Sequence, residues 1–184
     1  MNNKLFTILL SISLFMSVSF SQNKNDTLFV GADRGYLMNI EAGVGGSNDI
    51  GSGIVFGVGG DLLGQETSIS FKYSFILDQT PFADNHNHVS IFTVNYGLFT
   101  PYSSWGKIGI SYTLGTKYVY NYESIETEYI RNNYTKFALT LDVGKSWEIG
   151  NSTRMGWNLF LGAGQKYIYT GITMIVQFNN LLSR

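Results

Sequence analysis

The sequence predicts an all-β protein, an antiparallel, up-and-down transmembrane β-barrel of about eight strands. Three observations lead there. Apolar residues recur at every second position in about eight segments of roughly ten residues, the pattern of barrel strands. Glycines gather on the opposite parity of those segments. The composition, with 15% aromatic and 14% charged residues, 21 Gly and only 2 Pro, suits strands better than helices.

Strands are expected near residues 36–46, 53–61, 66–77, 89–99, 106–118, 135–147, 155–164 and 167–178. In the third, TSISFKYSFIL, the positions Ile69, Phe71, Tyr73 and Phe75 are apolar, while Ser70, Lys72 and Ser74 alternate with them. The same reading selects Met38, Ile40, Ala42 and Val44 in the first, then Ile54, Phe56 and Val58, and Phe92, Val94, Tyr96 and Leu98. The second half continues with Ile108, Ile110, Tyr112 and Leu114, with Phe137, Leu139, Leu141 and Val143, with Trp157, Leu159 and Leu161, and with Ile172, Met174, Val176 and Phe178. No helical period competes over a comparable length.

Alternation alone does not say which face meets water. Gly43, Gly45, Gly57, Gly59, Gly97, Gly109, Gly115, Gly144, Gly162 and Gly171 all lie opposite the apolar face. An eight-stranded barrel has an interior just wide enough for side chains to fill, so small residues belong inside and the large apolar set outside, against lipid. A soluble sandwich would reverse that balance of volumes and place charges on its outer face.

The N-terminus predicts export. Lys4 precedes an uncharged apolar run from Leu5 to Phe20, which ends at Ser19-Phe20-Ser21, a small-x-small cleavage pattern. The run is shorter than the roughly 20 residues a spanning helix needs. Residues 1–21 are therefore expected to be a signal peptide and residues 22–184 the barrel domain. Losing Lys4 from 12 basic residues leaves 11 against 13 acidic ones, so nothing recommends nucleic acid. There is no cysteine, which excludes disulfides, thiolate metal sites and lipidation through a terminal cysteine.

With Gln22 on the periplasmic side, the outer connections fall near 47–52, 78–88, 119–134 and 164–166, and the inner turns near 62–65, 100–105 and 148–154. The two longest connections lie outside, as in outer-membrane barrels. Two aromatic girdles are expected. Trp105, Trp147 and Trp157 form the inner one, with Tyr102 and Phe178 near the same level; Tyr118, Tyr120, Tyr122 and Tyr134 form the outer one.

Across nearly all of residues 28–178, this pattern resembles the small OmpA/OmpX-type outer-membrane barrels, as a bare barrel without a peptidoglycan-binding domain. The ending TGITMIVQF, a glycine followed by hydrophobics and a terminal aromatic, is similar to the signal read by the barrel-assembly machinery, although NNLLSR follows Phe178 here. The resemblance implies location in the cell outer membrane. It also implies outer-membrane lipid and lipopolysaccharide as surroundings, the assembly machinery as a partner during biogenesis, and neighbouring envelope proteins as further partners.

Candidate functional residues fall in three groups. Glu41, Lys72 and Asp142, with Asn95 and Asn158, lie on the inward parity and predict a lumen network of ion pairs and hydrogen bonds, because buried charges must pair or stay hydrated. NHNHVS, residues 85–90, places His88 and Ser90 on one face. That His-x-Ser pair resembles the lipid A deacylase family of barrels, in which histidine activates a serine nucleophile and a carboxylate orients it. No acid stands at a matching spacing. His86 and His88 alone do not close a metal site. The segment NYESIETEYIRNN, residues 121–133, carries Glu123, Glu126, Glu128 and Arg131 on an expected surface loop. Phosphate loops, nucleotide fingerprints and zinc-helix motifs are absent. The expectation is a non-enzymatic structural or surface-interaction role with a filled lumen, no cofactor and no metal. The alternatives are a lipid A-modifying hydrolase or a narrow channel.

Overall fold

A computed structural model describes residues 35–64, 67–78, 86–99, 104–120, 129–150 and 153–179. The expected signal peptide, Tyr102, Tyr122, Glu123, Glu126 and Glu128 lie outside the described residues, as do the side chains of Tyr120 and Tyr129.

Eight strands follow one another: β1 (Gly35–Ser47), β2 (Gly51–Leu63), β3 (Thr67–Asp78), β4 (His88–Phe99), β5 (Ser104–Tyr120), β6 (Tyr129–Gly150), β7 (Thr153–Gly164) and β8 (Tyr167–Asn179). Each pairs antiparallel with the next, and β8 returns to β1, closing the barrel. Closure leaves no edge along the wall, as a bilayer demands of a spanning sheet.

The ladders fix the geometry. Stepping from Tyr36 across each successive partner, through Leu62, Ile69, Tyr96, Ile108, Leu141, Leu161 and Thr170, the path returns to Gly46, ten positions beyond its start at 36. That stagger tilts the strands to about 40° from the barrel axis. It also sets which inward residues meet at one depth.

The apolar face points outward. Phe137 and Leu139 are 71% and 72% exposed, and Ile108, Ile110, Leu98 and Tyr96 stand beside them on the wall. The inward parity holds most of the buried set, although Val143 and Thr116 on the outward parity are buried too. Towards the end carrying the β1–β2 and β7–β8 turns, the lumen is filled by Val55, Ile76, Val89, Ile91, Phe160, Tyr167 and Tyr169. The turn Asn48–Ile50 folds over that mouth, with Ile50 buried in the same cluster. Asn48 fastens this turn to the β7–β8 turn: its side chain accepts from Ile168 N at 3.0 Å and donates to Lys166 O at 3.0 Å. Lys166, the second residue of the β7–β8 turn, adopts φ of 56°, in the left-handed region. Towards the terminus end a second, smaller cluster joins Leu37, Trp105 and Ile175.

Of the expected connection at 119–134, residues 119–120 and 129–134 are strand. β5 and β6 stay paired up to Tyr120 and Tyr129, whereas β4 begins only at His88, opposite Thr116, and β7 pairs with β6 no further than Ala163 opposite Leu139. The β5–β6 hairpin thus stands above its neighbours. Alternation fails to mark it because, above the wall, neither face is selected to be apolar: Arg131, Asn132 and Asn133 are all exposed.

Candidate functional site

The inward charges converge in the middle of the lumen. Lys72 on β3 points across to β6 and β1, where its Nζ lies 2.7 Å from Asp142 Oδ2 and 3.6 Å from Glu41 Oε2. The ammonium also sits 4.9 Å from the centroid of the Phe160 ring, which closes the site towards the loop end. Glu41 Oε2 accepts further bonds from Thr173 Oγ1 at 3.0 Å and Asn158 Nδ2 at 3.4 Å. Asn158 Oδ1 accepts from the Trp105 indole at 3.2 Å. Asn95 Oδ1 accepts from Thr140 Oγ1 on the same side of the lumen. Glu41, Lys72, Asp142 and Asn158 thus form one connected network with Asn95 at its margin. Lys72 thus faces both carboxylates, with the buried Lys107 as the direct ladder partner of Asp142.

A second ion pair lies nearer the termini. Lys107 pairs with Asp61, whose other oxygen accepts from Asn39 Nδ2 at 2.7 Å, and Gln177 Nε2 donates to Asn39 at 3.2 Å. Reasoning from the sequence missed these four residues, although parity marks them: Lys107 shares the inward register of Gly109, and Asp61 that of Gly57 and Gly59. A third pair, Lys136 with Asp49 at 2.7 Å, ties β6 to the turn over the mouth, with Tyr134 and Tyr167 flanking the ammonium. Arg154 is buried in the lumen wall of β7 and is engaged there.

Aromatic placement requires two corrections. Trp105, expected in the inner girdle, is 3% exposed and lies inside the barrel, stacked against Gly144, its direct partner on β6. Its position shares the parity of Lys107, which is the signal that assigns it inward. Tyr134, expected in the outer girdle, also turns inward, opposite Gly115, and packs on Tyr167 with ring centroids 6.4 Å apart. Trp147 and Trp157 do take the outward parity, with Phe178 exposed near the same end. Arg131, expected in a loop, lies on β6 opposite Tyr118.

On the outer wall, His88 and Ser90 share a face but engage other residues. The Ser90 hydroxyl is 3.2 Å from the Tyr73 hydroxyl, and the His88 ring packs on Phe75 at 5.7 Å. His86 meets Asp78 at 3.5 Å at the root of the β3–β4 connection, where Asn87 also donates to Asp78 at 2.6 Å. Among the described residues no cluster of His, Asp or Glu could hold a metal ion.

A closed eight-stranded barrel with an apolar outer wall and a polar, ion-paired interior is a transmembrane β-barrel of the smallest class. The chain has the fold of the small outer-membrane barrels. Two crystal structures of Ail, the attachment invasion locus protein of Yersinia pestis, align with TM-scores of 0.55 and 0.54 at 4% and 7% identity, the second in complex with the heparin analogue sucrose octasulfate. Both alignments cover 80% of this chain, with 97% and 98% of Ail. The neisserial surface protein NspA aligns over 80% of this chain and 97% of its own, at 12% identity and a TM-score of 0.48. No protein-family profile and no curated protein matches the chain.

Proposed function

We propose that this protein is a bacterial outer-membrane barrel that acts as a surface-interaction element, with a filled lumen and no catalytic step. The observation that carries the reading is the β5–β6 hairpin, which rises above a barrel whose interior is already occupied. On that hairpin β6 has ladder partners on one side only between residues 129 and 138, among the described residues. Val119 and Ile130, direct partners, are 44% and 53% exposed although no wall surrounds them. A two-stranded projection with apolar and basic side chains presents a contact surface outside the filled barrel. His88 and Ser90 are assigned no hydrolytic role, since each is engaged elsewhere. The lumen is assigned no transport role, since aromatic rings and ion pairs fill it. Outer-membrane lipid, the assembly machinery and envelope neighbours remain the proposed partners.

The test uses the absence of natural cysteine. Arg131→Cys and, at the opposite end, Glu148→Cys are each introduced singly, and intact cells are treated with a membrane-impermeant maleimide. Labelling at 131 and protection at 148 is the expected result; the reverse would invert the barrel and remove the reading. With that orientation in hand, a photo-crosslinking residue at position 130 in living cells should give a discrete adduct that the same residue at position 139 does not.

A further inference from the structure

The outer wall of β3–β6 is graded along its length. Its register places Tyr118 opposite Arg131, then His88, Thr116 and Asn133 in one row, then Phe75, Ser90, Leu114 and Thr135. Next come Tyr73, Phe92, Tyr112 and Phe137. Arg131 is exposed and donates from Nε to Asn133 Oδ1 at 3.2 Å, and the same oxygen accepts from Thr116 Oγ1 at 3.0 Å, which holds the guanidinium just above the rim of the wall. Below, Ser90 and Tyr73 join hydroxyls. Lower still, Val58, Phe71, Tyr73, Phe92, Tyr112 and Phe137 border an open groove of about 470 Å³. Paired rings floor it, with centroids 5.0 Å apart for Tyr73–Phe92 and 5.0 Å for Tyr112–Phe137.

We infer that this strip binds one phosphorylated glycolipid of the leaflet at the loop end, with an acyl chain in the aromatic groove and a phosphate at Arg131. A groove in a lipid-facing wall is filled by an acyl chain, and this one lies in the size range of ligand sites. The guanidinium supplies the paired, planar donors that phosphate prefers. The band between them decides the headgroup. From Arg131 to Thr135 the strand advances roughly 13 Å, past the hydroxyls and amide of Thr116, Asn133, Ser90 and Thr135 with Phe75 and Leu114 among them. In a glycerophospholipid the phosphate adjoins the acyl esters, so with its phosphate at Arg131 the first methylenes of the chain would lie over these polar groups. A sugar carrying phosphate on one side and acyl chains on the other spans it.

The site inference rests on the orientation proposed above only for its leaflet; binding itself is read in detergent, so the two can fail separately. Full-length protein in mild detergent is mixed with bis-phosphorylated lipid A, with the same glycolipid stripped of phosphate, and with phosphatidylglycerol. Retained lipid is counted by native mass spectrometry. Wild type should retain one phosphorylated glycolipid and roughly tenfold less of the other two, a ratio that corresponds to about 1.4 kcal/mol. Arg131→Ala should abolish the preference for phosphate. Val58→Trp, which fills the groove, should reduce retention of every lipid, whereas Met174→Trp on the opposite wall should not. Heat-modifiable gel mobility verifies that each variant is folded. Equal retention across wild type, Arg131→Ala and Val58→Trp would overturn the inference, as would a preference for phosphatidylglycerol.

Discussion

The ring of Tyr169 covers Gly162, its direct partner across the β7–β8 ladder, and occupies the space that a Cβ at Gly162 would need. The same relation recurs between Phe160 and Gly171, Trp105 and Gly144, and Tyr134 and Gly115. These four inward rings each lie over the partner glycine, and that of Tyr169 still reaches Ser111 with its hydroxyl. That is how a narrow barrel holds several aromatics and still closes.

Gly162→Ala should therefore destabilise the barrel by about 1–3 kcal/mol, the usual cost of overpacking. Gly57→Ala is the contrast, because a Cβ there would make near-ordinary contacts with Ser74, Glu41 and the Tyr73 carbonyl. Its effect should stay below about 1 kcal/mol, with the smaller entropy of the unfolded chain offsetting mild crowding. Urea unfolding of both variants in lipid vesicles separates the two outcomes.

The wall was legible in the sequence because lipid selects one parity strongly, and so the strand number, antiparallel order and outward face follow from alternation. Glu41, Lys72, Asp142 and Asn158 were legible for the same reason: polar residues on an inward parity have nowhere else to go. What alternation does not encode is reach. Nothing in the spacing says that Lys72 chooses Asp142 over Asp61, since that depends on the stagger by which the barrel closes. Trp105 and Tyr134 were misplaced because aromatic rings suit an interfacial girdle and a glycine-floored lumen equally well. Only their parity, read against Lys107 and Asp142, distinguishes the two.

Lys72 is the cation that Glu41 and Asp142 share, so removing it should cost far more than an exposed ion pair would. Lys72→Met leaves Glu41 and Asp142 buried without a cation, a loss of about 3–5 kcal/mol. Adding Glu41→Gln and Asp142→Asn to the same chain should recover most of it, because the uncompensated charge is then gone. If the triple variant is as unstable as the single one, the triad contributes through packing on Phe160 and not through charge.

Leu139 tests the direction of the wall. It is 72% exposed on β6, next to the inward Ala138 and Thr140. Leu139→Arg places a guanidinium against acyl chains and should destabilise by about 2–4 kcal/mol if that position lies near the bilayer midplane. Arg131→Leu, above the wall on the same strand, should change stability by less than about 0.5 kcal/mol, as surface substitutions do. Equal effects at the two positions would mean that both lie at the same depth, contrary to the height of the hairpin.

Conductance is the last test, and it bears on the interior as a whole. At the loop end Ile50, Tyr167 and Tyr169 close the lumen, with the Tyr169 hydroxyl fixed to Ser111 at 2.8 Å on the far wall. Beneath them Lys72 bridges three strands, and the cavity it shares with Asn95, Thr140 and Asp142 is about 10 Å³. That is no more than the room one water molecule requires. Ions crossing this interior would have to displace an apolar cluster and then break an ion-paired one. Wild-type protein in planar bilayers should accordingly give at most rare, small current steps, even at high salt. Lys72→Met should not raise them, because the apolar cluster above stays in place, whereas Tyr167→Ala with Tyr169→Ala removes that cluster and should increase their frequency. Large and persistent steps from the wild-type chain would mean that the lumen opens, and would place a narrow channel ahead of the surface-interaction role.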